Sequence, residues 1–395
     1  MRVELGDGRS LHLDDEVLVP HRQALAATAE PEPVRMAFAA AHLVMVPSYH
    51  FCEHSSESPG SSDEIAVCVD WQASMELRRN LDALGFGVAE AMDTAQRFEI
   101  GWTTAERLIR ECGALGLDNG FIAGAGTDHL EQIASRDELV EGVVYQAEVI
   151  GDAGGTVIIL PMPWLVQEGF DADGYVEIYE EIFSRLQGPL LVHWLGEMFA
   201  PALQGYFPGD SFSRVMALAP EKVRGAKLSL LDAAMERQLR SELAERGQIM
   251  LTGDDLNFCE LIAGPPPENW QEWGGHRIAI GDFSHALLGI FDGVAEPASL
   301  ALRWLARGDL DRYFELMRPA QELSRLVFES PTRHYKAGLA FLSWLNDRQE
   351  NFMLVNRQDQ SRNFDHFVRL TELASAAGVL RDAEVAAERL RMLSP

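Results

Sequence analysis

Cysteine is scarce and scattered. The four in 395 residues, Cys52, Cys68, Cys112 and Cys259, form no CxxC and no paired spacing, which argues against a disulfide framework or a structural zinc knuckle and fits a reducing compartment. Long apolar runs are missing, since nothing approaches the roughly 18 uninterrupted apolar residues of a membrane-spanning helix. Basic residues are outnumbered, 33 Lys and Arg against 61 Asp and Glu, for a formal net charge of −28. Such a balance repels nucleic acid and anionic membrane, so neither is an expected partner. Low-complexity segments and repeats of solenoid period are lacking too. The opening stretch MRVELGDGRSLHLDDEV is charged and has no apolar core, so it does not read as a signal peptide. The expected location is cytoplasmic.

What is present is apolar bulk. Hydrophobic residues make up 47% of the chain, ample for one large barrel with additions or for two domains. In residues 1–33, Val3-Glu4-Leu5 and Leu11-His12-Leu13 alternate around Gly6-Asp7-Gly8, the pattern of a small β-hairpin. From Val34 the rhythm becomes apolar strand, loop, amphipathic helix, repeated, the mark of a parallel α/β fold. Strands are expected over residues 41–46, 87–92, 120–124, 156–160, 189–194, 223–229, 249–252 and 277–280. Beyond Pro297 the pattern is purely helical. The expected architecture is a (β/α)8 TIM barrel over residues 34–296, with an N-terminal β-hairpin extension (1–33) and a C-terminal helical extension (297–395) packed on it. Its site belongs at the carboxyl ends of the strands.

The chemistry gathers around the sixth strand, Val223-Arg224-Gly225-Ala226-Lys227-Leu228-Ser229. A lysine near the carboxyl end of a barrel strand points into whatever that strand encloses. A buried amine loses its charge readily, and the neutral form attacks carbonyls; an ordinary lysine in a salt bridge is the plain alternative. His193, ending strand five, has an unperturbed pKa of about 6.5 that suits proton transfer, although a hydrogen-bonded core histidine fits equally. Asp93, Asp128, Asp254 and Asp282 each follow a different expected strand. They can crowd one mouth, or each can cap a helix. Trp164 and Trp194, at the ends of adjacent strands, can offer faces to a sugar ring or simply pack the barrel. His50, Cys52, Glu53 and His54, together with His129 and His285, are of metal-ligand type but share no fixed spacing. No metal or other cofactor is expected. Gly124-Ala125-Gly126 and Gly154-Gly155 fit neither a P-loop nor the dinucleotide fingerprint.

Several short motifs stand in one order between about residues 40 and 385: Ala123-Gly124-Ala125-Gly126, Ile159-Leu160-Pro161-Met162-Pro163-Trp164, Gly225-Ala226-Lys227, Leu251-Thr252-Gly253-Asp254-Asp255, Leu305-Ala306-Arg307-Gly308-Asp309-Leu310 and Tyr335-Lys336-Ala337-Gly338-Leu339-Ala340. In that order the chain resembles the dihydrodipicolinate synthase / N-acetylneuraminate lyase superfamily of Schiff-base aldolases, as a divergent branch. The resemblance implies that Lys227 is the imine-forming lysine. It places His193 where the superfamily has a proton-relaying tyrosine, with Asp93 or Thr94 assisting. It also implies a homodimer or homotetramer, for which the apolar stripe Gly338–Trp344 offers a contact face. The superfamily's Gly-Thr-Thr-Gly-Glu, which receives a 2-oxo acid carboxylate on backbone amides, falls on Met92-Asp93-Thr94-Ala95-Gln96, where both glycines are gone. An acidic mouth without that nest repels carboxylates. The expected substrate is therefore a neutral carbonyl compound such as an oxo-sugar, rather than pyruvate, and the expected reaction a carbon–carbon or carbon–oxygen cleavage. Two rivals remain: a metal-dependent sugar isomerase or epimerase using Glu90, Asp128, His193 and Asp282, and a sugar-binding barrel without chemistry.

Overall fold

The computed structural model describes residues 1–273 and 276–393. Strands β1 (Arg2–Glu4) and β2 (Ser10–His12) pair antiparallel, Arg2 opposite His12, as the expected hairpin. The barrel strands are β3 (Ala37–Ala40), β4 (Gly87–Glu90), β5 (Phe121–Ala125), β6 (Thr156–Ile159), β7 (Leu190–Leu195), β8 (Val223–Ser229) and β9 (Ile249–Thr252). After the hairpin β10 (Asn269–Trp273) and β11 (His276–Ile280), the last barrel strand, β12 (His285–Leu288), closes the ring between β9 and β3. Every pairing within the barrel is parallel. Most of these strands are buried along their whole length, as parallel strands covered on both faces require.

Two of the eight expected strands are elsewhere. Residues 41–46 run on past the end of β3, and there only Met45 makes an isolated antiparallel bridge, to Val69. The strand itself is Ala37-Phe38-Ala39-Ala40, whose small side chains fit a crowded interior but carry little strand signal. Arg277–Ile280 alternates like a strand and is one, but it pairs antiparallel with Asn269–Glu272, in a two-stranded sheet outside the barrel. The real eighth strand lies beyond Gly281-Asp282-Phe283-Ser284, which had read as the loop following it.

Several helix starts are capped by aspartates. Asp70 accepts from the backbone N–H of Ala73, and Asp232 accepts from those of Ala234 and Met235, each bond satisfying helix donors that lack a partner within the helix. Between barrel and helices lie two ion pairs, one fully buried and one partly so. Arg78 grips Glu90 through two bonds, 2.7 and 2.8 Å, and Arg97 grips Asp128 through two more, 3.0 and 2.9 Å.

Past β12 the chain is helical, and its segments fold back over the strands' carboxyl ends. His42, just after β3, bonds Asp292 through Nδ1 (2.5 Å) and Gln349 through Nε2 (2.8 Å). Asn351 donates to the carbonyl of Met45 (2.8 Å), while Gln96 and Val355 exchange two bonds at 3.1 and 2.9 Å. The helix Lys336–Leu345 is buried at every residue. The stripe Gly338–Trp344, expected to serve as a contact face, is thus covered by the chain's own packing. Among the described residues no helix is long and apolar enough to cross a membrane.

Candidate active site

Lys227 sits near the carboxyl end of β8, beside His193 of β7 and Leu251 of β9. Its side chain needs room that only glycine leaves. A Cβ at Gly253 would meet Lys227 Cε at 2.9 Å and collide with Ser229 Oγ. Burial lowers the Lys227 ammonium to about 8, while the charges of Asp255 and Asp93 work against that shift. Asp255, in the turn after β9, accepts from the backbone N–H of Ile290 at 2.9 Å. Burial pushes its carboxyl up to about 7, against that hydrogen bond and the charge of Lys227. Desolvation thus moves an amine and an acid toward neutrality from opposite ends of the scale. Among the described residues neither makes a contact ion pair.

His193 Nε2 lies 3.1 Å from Ser229 Oγ, and its Nδ1 is buried without a partner. Burial, then the nearby Lys227, drives its pKa well down, so the ring is a neutral imidazole with one nitrogen unused.

The turn after β4 bends through two left-handed residues, Ala91 (φ 46°) and Gln96 (φ 56°). Neither is glycine, so the bend is held under strain. It presents Asp93 and Thr94 to the C-terminal region. The Tyr335 hydroxyl stands 2.9 Å from Asp93 Oδ2 and 2.8 Å from Thr94 Oγ1. Lys336 Nζ pairs with the same Asp93 oxygen at 3.0 Å. The Tyr335 ring stacks on Phe328, centroids 4.4 Å apart at 15°, and Phe199 meets it edge-on.

A cavity of about 660 Å³ opens here, with Asp93, Glu99, Phe199, Arg333, Lys336 and Gln358 in its wall. Burial raises the Glu99 carboxyl, while Lys336 and a bond from Gln358 pull it back. The wall is largely supplied by residues 333–336 and 356–361, with Ser55 and Ser56 from the serine-rich insert. Lys227 is not part of that wall. Asp93 connects the two, because it lines the cavity and its charge acts on Lys227.

Of the nine expected residues, four lie at the barrel mouth: Lys227 and His193 side by side, Asp93 close enough for its charge to act on Lys227, and Thr94 next to it. The other five do not join them. Asp128 is held by Arg97 and Gln146. Asp254 turns to Leu256 and Asn257, folding its own loop. Asp282 precedes the eighth strand instead of following it, and bonds Arg240 at 2.6 Å. Trp194 packs against Phe207 and Phe212, and Trp164 packs on Phe170 while donating to the Ile133 carbonyl. Neither indole reaches the cavity wall.

The four ligands of the isomerase alternative are dispersed, Glu90 on Arg78, Asp128 on Arg97 and Asp282 on Arg240. Among the described residues no three of His, Cys, Asp or Glu stand close enough together to hold a metal ion. After strand one, His50 bonds the Pro47 carbonyl and His54 the Tyr49 hydroxyl.

Sequence reasoning missed Asp255, Tyr335, Lys336 and Ser229 as site residues. One signal was available. The chain holds only three lysines, Lys222, Lys227 and Lys336, and two of them are buried here beside one carboxylate.

Residues 10–394 match the family model described as "Protein of unknown function (DUF993)". No curated protein matches the sequence. Among solved structures, a dihydrodipicolinate synthase is similar at TM-score 0.58 and 14% identity, covering 88% of this chain and 100% of its own. An N-acetylneuraminate lyase from Aliivibrio salmonicida gives TM-score 0.57 and 15% identity over 88% of this chain and 98% of its own. A 2-keto-3-deoxygluconate aldolase variant from Sulfolobus solfataricus gives TM-score 0.57 at 7% identity, with coverage of 88% and 100%. The barrel is thus the fold of the dihydrodipicolinate synthase / N-acetylneuraminate lyase superfamily, as the motif order implied.

Proposed function

The chain belongs to the family described as "Protein of unknown function (DUF993)", and we propose that it is a carbon–carbon or carbon–oxygen lyase working through an imine on Lys227. One observation carries the reading. The amine is buried near the end of β8, burial lowers it to about 8, and among the described residues no carboxylate pairs with it in contact. At neutral pH a usable fraction is then uncharged and nucleophilic. Attack on a substrate carbonyl and loss of water give an iminium. For C–C cleavage the iminium draws in the electron pair of the adjacent C–C bond while the departing carbon becomes a carbonyl and its hydroxyl gives up a proton. For C–O cleavage it draws in the pair of the adjacent C–H bond, and the enamine so formed expels the β-oxygen, protonated, as water. His193, Asp93 and Thr94 stand to assist the proton transfers of imine formation.

We propose a neutral oxo-sugar or sugar-derived carbonyl compound as substrate, in preference to pyruvate. Two features support it: amide and hydroxyl side chains from residues 356–361 in the cavity wall, and a β4 turn without the glycines that would open its amides to a carboxylate. Charge repulsion does not support it, since the cavity wall carries Arg333, Lys336 and Arg357 against Asp93 and Glu99 and the acidic mouth expected from the sequence is not assembled. Of the four expected aspartates only Asp93 lines the cavity, and Lys336 pairs with it. We further propose a homo-oligomer, which light scattering checks against the 43.8 kDa chain mass.

Borohydride added with a panel of neutral oxo-sugars and pyruvate tests the reading. The expected product is a reduced adduct mapped to Lys227 by peptide mass, strongest with an oxo-sugar and absent in Lys227→Ala and Lys227→Arg. An adduct on another lysine, or turnover undiminished in Lys227→Ala, overturns the mechanism. Efficient trapping by pyruvate overturns only the substrate assignment.

A further inference from the structure

We propose that Tyr335, a residue of the C-terminal helical region, moves the proton that carbon chemistry at Lys227 requires. The inference rests on the imine reading above and deepens it. Its starting point is a hydrogen-bonded line in which one phenol hydroxyl touches Thr94 Oγ1 at 2.8 Å and Asp93 Oδ2 at 2.9 Å. A phenol has one proton, and of these two oxygens only the carboxylate can do nothing but accept it. Tyr335 therefore donates to Asp93, and Thr94 donates to Tyr335, which leaves the phenol oxygen room for a further partner.

The location suits the role. Gly289, at the end of β12, brings its backbone against both groups, since a Cβ there would lie 3.2 Å from Tyr335 Cε2 and 3.7 Å from Thr94 Oγ1. Asp93 connects the phenol to the cavity, whose wall it forms with Lys336. The amine and the phenol also feel the same two carboxylates. Asp255 and Asp93 are the groups whose charges favour the Lys227 ammonium, and both act on Tyr335. Burial first, then Asp93, raises the Tyr335 phenol well above its ordinary range. It stays a phenol near neutrality, so it transfers a proton only by exchanging its own. His193 is a less suitable carrier, because its Nε2 is engaged by Ser229 and its Nδ1 is enclosed.

The step balances. Once the iminium exists on Lys227, the adjacent C–H bond breaks and its electron pair forms the enamine double bond, neutralising the iminium nitrogen. The released proton bonds to the Tyr335 oxygen as the phenol's own proton passes to Asp93 Oδ2. Reversal of the same transfers reprotonates carbon. For cleavage, the proton comes instead from a substrate hydroxyl while the carbon–carbon bond supplies the electron pair.

Deuterium wash-in separates this proposal from the reading beneath it. Dihydroxyacetone and pyruvate serve as carbonyl probes in D2O, with adduct formation followed by borohydride trapping and C–H exchange by mass spectrometry. Tyr335→Phe keeps the ring stacked on Phe328 and removes only the hydroxyl. The expected result is an adduct yield within about twofold of wild type with exchange slowed about 100-fold or more, the scale of a lost general acid–base group. Asp93→Asn, which breaks the line at its acceptor, is expected to slow exchange similarly, giving a second reading should Tyr335→Phe fold poorly. Exchange at the wild-type rate in Tyr335→Phe overturns the assignment, as does a wild-type adduct that exchanges no deuterium. No adduct on wild-type Lys227 with either probe sinks the imine reading, and this inference with it.

Discussion

The two sides of the barrel treat buried charge in opposite ways. On the β4–β5 side, Glu90 and Asp128 each meet an arginine through two hydrogen bonds, and Arg78 and Glu90 have no exposed side-chain surface. On the β7–β9 side, Lys227, Asp255 and the Nδ1 of His193 are also buried, yet among the described residues none has a contact partner of opposite charge. Paired charge fixes geometry and keeps each group in its ordinary ionic form. Unpaired buried charge instead leaves an amine and an acid close to neutrality, where either can exchange a proton at little cost. The first side is locked by its pairs, and the second holds groups whose protonation is easily changed.

Removing one partner on each side is the strongest way to break this contrast. Arg78→Met leaves Glu90 buried and alone, so stability should fall by about 3–5 kcal/mol, read as a drop in urea midpoint. Lys227→Met deletes a charge that had no contact partner, and should change stability by about 1 kcal/mol or less, with a gain the more natural sign. Equal losses in the two variants would erase the distinction.

The pH dependence of stability sharpens it. Asp255 binds its proton more tightly folded than unfolded, about 7 against 3.8, so it withdraws stability as pH rises through that interval. Lys227 binds its proton less tightly folded, about 8 against 10.5, so it returns stability between those values. Wild type should show a dip near pH 7–8 in denaturation midpoints. Asp255→Asn should flatten the acid limb and Lys227→Met the alkaline limb. A profile unchanged by both substitutions would refute the unpaired assignment. The smallest effect belongs to solvent-exposed pairs such as Arg110 with Glu106, four residues apart on one helix. Arg110→Ala should cost about 0.5 kcal/mol or less, a baseline for the other two.

Six barrel strands were legible because their apolar runs are bracketed by turn residues. β3 escaped because Ala37-Phe38-Ala39-Ala40 is too small-sided to outrank the greasier residues after it. β12 escaped because Arg277–Ile280 alternates more convincingly, and alternation cannot say which sheet a strand joins. Lys227 and His193 were legible as polar residues ending apolar strands. Asp128, Asp254 and Asp282 looked alike by position, but Asp254 turns to its neighbour Asn257 while the arginines that hold the other two lie on distant elements, and no local pattern announces those arginines. Tyr335 and Lys336 stood in a quoted motif yet read only as fold. Their meeting with Asp93 spans about 240 residues and exists only through packing.

The supply of Tyr335 and Lys336 from beyond the barrel has a consequence in time. A ribosome adding roughly 5–20 residues per second takes roughly 5–20 s to pass from Lys227 to Tyr335. Throughout that interval the nascent chain carries the amine but neither the phenol nor the second lysine. A polypeptide released between β12 and Tyr335 would hold every barrel strand yet lack the two groups that meet Asp93.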